Sequence, residues 1–216
     1  MRVQPEVRGY FPFGKKVTLV ARGTVGFLFP LNYGEAARAA QVAPESGIDR
    51  AAWIRDLELV YLRGFFSGGP SSNRGYPLRG VGPHGAVPFF NPGLQAQALA
   101  NYCSTASATS SADAARCALP VGGLSLWEAS LEIRFPIAGA FGGATFCDAS
   151  DVAAQEATLR FDHPHLSCGL GLRYETPIGP IRFDLGYQLN EIPGLLVNGS
   201  PQPRPWRIHF SIGQAF

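Results

Sequence analysis

Charge is scarce in this chain: Asp, Glu, Lys and Arg make up 16% of its 216 residues, where an ordinary soluble domain carries about 25%. What charge there is nearly cancels, at a formal +2, and no basic stripe forms anywhere. That removes the electrostatic footprint of a nucleic-acid binder. Long apolar runs are lacking as well. No window approaches the roughly 20 apolar residues of a membrane-spanning helix, and the opening MRVQPEVRGYFPFGKK has no apolar core of the signal-peptide kind. Glycine (26) and proline (18) are abundant, yet 46% of residues are hydrophobic, which argues against overall disorder. On these totals alone the default reading is a soluble, cytosolic all-β domain.

What the chain does have is period-two patterning, the signature of half-buried strands. In LSLWEASLEIRF, Trp127, Ala129, Leu131, Ile133 and Phe135 share one face, with Glu128, Ser130, Glu132 and Arg134 on the other. In HLSCGLGLRYE, Leu166, Cys168, Leu170, Leu172 and Tyr174 oppose His165, Ser167 and Arg173. IRFDLGYQL sets Ile181, Phe183, Leu185 and Tyr187 against Arg182, Asp184 and Gln188. WRIHFSIGQAF and KKVTLVARGTVGF repeat the scheme, while AFGGATFCDA and residues 1–10 show it more weakly. These stretches approach the roughly 9–11 residues of a tilted transmembrane strand, longer than the 5–6 usual in soluble sheets. Their second faces, charged or glycine-rich, suit a wet interior.

The connections alternate too. FPFG (11–14), PIAG (136–139) and TPIG (176–179) read as tight turns; 29–122, roughly 149–164 and 190–204 are long. Strict alternation of short and long is expected of an outer-membrane barrel, with short periplasmic turns and long extracellular loops. A soluble sandwich has no physical reason to trim one end. The expectation is an all-β fold: an antiparallel transmembrane β-barrel, here about seven strands with a long extracellular loop over 29–122. In that frame the last strand starts outside and ends at Phe216 on the periplasmic side. Trp206 and Phe216 then lie toward opposite interfaces, where aromatic girdles gather.

The glycine- and proline-rich stretch RGFFSGGPSSNRGYPLRGVGP resembles the hallmark loop of the BamA/TamA-type outer-membrane assembly barrels, the bacterial surface antigen family. VGGLSLWEASLEIRFPI, GGATFCDAS, GLGLRYETPIGPIRFDLGYQLN and RIHFSIGQAF are similar to the family's downstream blocks, in order. The resemblance implies a loop folded back into the lumen, with Arg74, Gly75 and Tyr76 at its tip and Arg74 paired with Glu132 and Asp148. Alternation puts Glu132 on the polar face independently; Asp148 joins it if Cys147 faces lipid. A guanidinium can grip a carboxylate through two parallel hydrogen bonds, which lysine cannot do, so Arg74 is expected to lock a loop whose pinning costs much entropy. The resemblance also makes HFSIGQAF, with Phe210, Gly213 and Phe216, an assembly signal and seam strand. Partners so implied are outer-membrane lipid, unfolded outer-membrane protein clients and accessory lipoproteins.

Cys103 and Cys117 flank a Ser/Thr/Ala-rich part of the long loop, and the family loop often holds such a pair. A disulfide there would need an oxidising compartment. Cys147 and Cys168 fall on consecutive strands, both on the apolar face; whether they bond depends on a register that the sequence does not supply. Chemistry of other kinds finds no support. GVGPHG (80–85) fits a dinucleotide fingerprint formally, but no βα pattern surrounds it. Asp162, His163 and His165 form a loop cluster without a closed metal-ligand count, and no nucleophile elbow is present. No enzyme activity, cofactor or metal is expected. Residues 35–55 could form short helical turns.

Seven strands is an odd number, whereas bacterial barrels of this kind have even counts. The family's POTRA repeats and N-terminal strands are not found here. The chain therefore reads as the C-terminal part (1–216) of a single barrel domain. The leading function is outer-membrane protein assembly, insertion or translocation by strand pairing at a lateral seam. The alternatives are a two-partner-secretion pore and a soluble all-β adhesin-like binding module.

Overall fold

A computed structural model describes residues 1–14, 16–31, 50–85, 119–177, 179–190, 196–197, 200–201 and 206–213. One antiparallel sheet organises them. β1 (Arg2–Val3) and β2 (Glu6–Phe13) lie end to end against β3 (Val17–Leu28). Pro5 breaks the line between them because it has no N–H to give the ladder, although its carbonyl still accepts from Val25 N at 3.1 Å. The sheet continues through β6 (Ser125–Ala138), β7 (Phe141–Ala153), β8 (His165–Tyr174) and β9 (Ile181–Gln188) to β12 (Trp206–Ile212). That makes seven strand positions. The sheet does not close: β2 and β12 are its edges among the described residues.

Between β3 and β6 lie a helix, α1 (Arg50–Arg63), and the paired two-residue strands β4 (His84–Gly85) and β5 (Leu119–Pro120). β10 (Leu196–Val197) and β11 (Ser200–Pro201) pair before β12. The helix begins near the end of the 35–55 stretch expected to turn helically and runs beyond it. Its C-terminal end is anchored, since Val60 packs against a cluster of Leu28, Phe65, Leu124, Leu126 and Val152. Gly64 follows, where a Cβ would stand 2.6 Å from the Val60 carbonyl oxygen.

Strand ends also differ from the sequence reading. β2 runs through the expected FPF turn to Phe13, and β6 runs to Ala138, with a register shift between Pro136 and Ala138. The turns tighten onto Gly14 (φ 64°) and Gly139 (φ 56°), left-handed positions that glycine adopts without steric cost. β7 extends to Ala153, paired with Ser125, so its following connection begins at 154. Short connections still alternate with long ones.

Burial is inverted relative to a soluble protein. Along β6, Leu131, Ile133 and Phe135 are exposed while Glu128, Ser130 and Glu132 are buried. Along β8, Leu170 and Leu172 are exposed while Ser167 and Arg173 are buried; along β9, Phe183 is exposed and Arg182, Asp184 and Gln188 are buried. The face parity matches the alternation, but the polar side is the interior. Trp127 departs from the other apolar-face residues in being covered. The connection after β7 folds over it, with Trp127 Nε1 donating to the Arg160 carbonyl at 2.7 Å and its ring 5.0 Å from that of Phe161. Cys147 and Cys168 are directly opposed in register and joined by a disulfide. Soluble monomers rarely show so continuous an apolar surface, which counts against the adhesin alternative.

A charge on this face separates lipid from water. Leu170→Arg, at mid-strand, should cost about 2–4 kcal/mol in urea titrations of the intact protein folding into lipid vesicles. A loss below about 0.5 kcal/mol, usual for a solvated surface site, would show that the face meets water.

Candidate functional site

The polar face is filled by residues 64–83 of the long connection. Phe65 leads the segment in, exchanging backbone hydrogen bonds with Gly123 at 2.9 and 3.0 Å and laying its ring over Gly26, where a Cβ would stand 2.7 Å from it. Ser67 and Val81 then form a second bridge, closing a hairpin-like excursion. Gly68 (φ 103°), Gly69 (φ 108°) and Gly82 (φ 125°) take conformations that L side chains rarely adopt. At its tip Asn73, Arg74 and Tyr76 are buried.

Arg74 sits at that tip with no exposed surface. Its Nε donates to Asp148 Oδ2 at 2.8 Å and its Nη2 to Asp148 Oδ1 at 2.9 Å, a two-pronged grip. Its own backbone N–H adds a third bond to Asp148 Oδ2 at 3.0 Å. Nη1 donates to Glu132 Oε2, and the guanidinium carbon lies 3.5 Å from the centroid of the Phe146 ring. Burial alone would lower the Arg74 pKa; the hydrogen bonds and charge of Asp148, with those of Glu132, outweigh it and hold the group above the usual arginine range. Arg74 is charged, as arginine is throughout proteins.

The pair is one part of a larger network. Glu132 Oε1 also accepts from Arg134 Nε at 2.7 Å and lies 3.4 Å from Arg173 Nη2. Arg173 bonds Asp184, which in turn accepts from Arg182 Nη2 at 3.0 Å. Arg182 Nη2 also reaches the Pro70 carbonyl on the loop at 2.8 Å. Four guanidiniums thus share three carboxylates. Such a cluster cannot lose one member cheaply, because the charge left behind is buried without its partner.

The tip's other residues are held as closely. Asn73 Nδ2 donates to Ser150 Oγ at 3.0 Å and the His165 carbonyl at 2.8 Å, and Asn73 Oδ1 accepts from Ser167 Oγ at 2.6 Å. Gly75 N donates to Ser167 Oγ at 3.0 Å, and a Cβ on Gly75 would stand 2.2 Å from Ser167 Cβ. The Tyr76 hydroxyl donates to the Asn190 carbonyl and Oδ1, each at 2.7 Å. Ser72 bonds Glu128, which also accepts from Arg22 Nη2 at 2.8 Å, and Arg22 Nη1 reaches the Ser71 carbonyl at 2.9 Å.

The structure brings Arg74, Gly75, Tyr76, Glu132 and Asp148 together. Phe210 lies apart, exposed on the outer face of β12 and opposite Phe183. Gly213 (φ 97°) ends that strand, its N–H bonded to the Pro180 carbonyl at 2.8 Å. Phe216, Cys103 and Cys117 lie outside the described residues. Asp162 and His163 pair with each other at 2.9 Å on the surface, while His165 turns inward against Tyr76, its ring 5.4 Å away; the three do not converge. Asn73, Ser72, Arg22, Glu128, Ser167, Asn190 and Arg182 were not singled out from sequence. Parity marked several as inward-facing, but nothing marked which would meet the loop.

Arg74→Glu in the intact protein should lose about 3–5 kcal/mol, the cost of breaking a buried pair, in the same vesicle titration. Adding Glu132→Arg should restore part of the loss but not all, because Glu132 also serves Arg134 and Arg173. Undiminished stability of the single variant would show that other contacts hold the loop.

Residues 1–216 match the family model described as the Omp85 superfamily domain. Among solved structures the chain is similar to the crystal structure of BamA from Haemophilus ducreyi lacking POTRA domains 1–3, with a TM-score of 0.53 and 16% identity. The match covers 97% of this chain and 34% of that one, so this chain spans about a third of the length of that relative. At that identity the likeness is one of fold: part of an antiparallel barrel wall. The whole-chain family match is independent of it, and the chain belongs to the Omp85 superfamily.

Proposed function

We propose that this chain is part of the barrel wall of an outer-membrane assembly or translocation factor, working without enzymatic chemistry, with β12 as one edge of a lateral seam. The observation that carries the reading is the inverted burial: an apolar outside, and a polar inside filled by a loop gripped through Arg74. Lipid suits the first. The second keeps the lumen plugged while the wall is free to part elsewhere.

Strand direction narrows what completes such a wall. β2 runs into a short turn, and β12 descends from a long connection, so both edges point toward the short-turn end. Antiparallel closure on both sides then requires an odd number of further strands, whose own edges run the opposite way. An open edge cannot remain in hydrocarbon, where unpaired backbone groups cost several kcal/mol each. Client strands would meet the side of β12 away from β9 by β-augmentation, with main-chain hydrogen bonds supplying the affinity. Its clients would be unfolded outer-membrane proteins, and accessory lipoproteins its helpers.

Photo-crosslinking side chains placed at 208, 210 and 212 of the intact protein, reconstituted in vesicles, test the seam. An unfolded barrel client should crosslink there and not at 131 or 133 on interior β6. Equal yields at the two strands would remove β12 from the role.

A further inference from the structure

Arg74 meets the sheet in two directions. Its side chain goes to β6 and β7, while its carbonyl oxygen faces the opposite way, 3.0 Å from His209 Nε2 on β12. A carbonyl can only accept, so Nε2 carries the proton and donates. Asp148 and His209 are separated by strands β8 and β9 in the sheet order. A single residue of the loop therefore spans from β6 to β12.

β12 is where such a contact matters. Its ladder runs to β9 alone among the described residues, from Trp206↔Tyr187 to Ile212↔Ile181. An edge strand lacks half the hydrogen bonds that fix an interior one. Its outer residues Trp206, Ile208, Phe210 and Ile212 are exposed, and the Trp206 ring contact, on Tyr187 with centroids 4.7 Å apart, goes to β9 again. Among the described residues, what holds β12 besides β9 comes from the lumen side, where His209 points. Gly186 on β9 makes the approach possible. A Cβ there would stand 2.3 Å from the Arg74 carbonyl oxygen, forcing the tip away from His209.

We propose that His209 is the positioning residue through which the loop tip holds the seam strand, so that release of the loop also loosens β12. The inference rests on the reading of β12 as a seam edge. Loop and seam become one mechanical unit: Arg74 grips the fixed wall with its guanidinium and steadies the movable edge with its carbonyl.

Hydrogen–deuterium exchange of the intact protein in lipid vesicles tests this. His209→Ala should speed exchange in segment 206–213 about tenfold, the scale of one net hydrogen bond, while segment 165–174 in β8 keeps its rate. His209→Gln, whose side-chain amide can donate to the same carbonyl, should return most of the protection; a role in bulk packing alone would not give that pattern. In an Arg74→Ala background, His209→Ala should add no further increase. Should His209→Ala fail to fold, Gly186→Ala replaces it, since it leaves the imidazole in place and displaces the carbonyl. Unchanged exchange at 206–213, or an equal rise along β8, would overturn the proposal. Exchange reports on β12 whether or not a client enters. A failed client crosslink beside this exchange pattern would count against the assembly role alone.

Discussion

A guanidinium shut away from water must find acceptors for its donors, and Arg74 finds them on two neighbouring strands. The desolvation cost of burying such an ion is several kcal/mol, so the arrangement stands only because Asp148 and Glu132 are buried with it and aimed at it. Lysine, with a compact ammonium, could not reproduce the planar two-pronged fit. The geometry of the loop follows from this need. Ser72, Asn73, Gly75 and Tyr76 each satisfy their polar groups within the same few ångströms, and the glycines let the backbone come close enough for them to do so.

The sheet's outer surface obeys the reverse logic. Leu, Ile and Phe side chains stand exposed on β6, β8, β9 and β12, and a protein in water would bury most of that area. The cross-strand disulfide of Cys147 and Cys168 lies on this same face, tying β7 to β8 directly across the register. At the long-loop end the connection after β7 wraps outward, and Arg160 grips Asp151 with bonds of 2.9 and 3.0 Å. Trp127 is covered there as a result. Inside and outside are thus stabilised by different means, networks of charge within and, in the proposed setting, hydrocarbon without.

The two faces meet functionally at the edges. Interior strands β6 to β9 are laddered on both sides and carry the acceptors for the loop. Among the described residues β12 has a ladder to β9 alone, and its His209 imidazole meets the loop, so it has fewer backbone partners than any of β6 to β9. A centre laddered on both sides beside an edge laddered on one is what the proposed parting at a seam would require.

Much of the fold was legible in the sequence because period-two patterning belongs to the covalent chain: which residues share a face is fixed once a strand forms. Strand number, face parity and the alternation of short and long connections therefore followed from residue order. Helix α1 and the strand ends did not, since they depend on the Leu28–Phe65–Val152 cluster and on pairing partners remote in sequence. For the site, residue types at the loop tip and on the polar faces could be named in advance. Distances could not, because they need the loop's depth in the cradle and the register of each strand against its neighbour. The sequence by itself grouped the residues that share a face; the tertiary structure alone decided that Asn73 meets Ser167, that Tyr76 meets Asn190, and that the Arg74 carbonyl meets His209. Those contacts join segments scores of residues apart, and no local preference of the backbone can specify them.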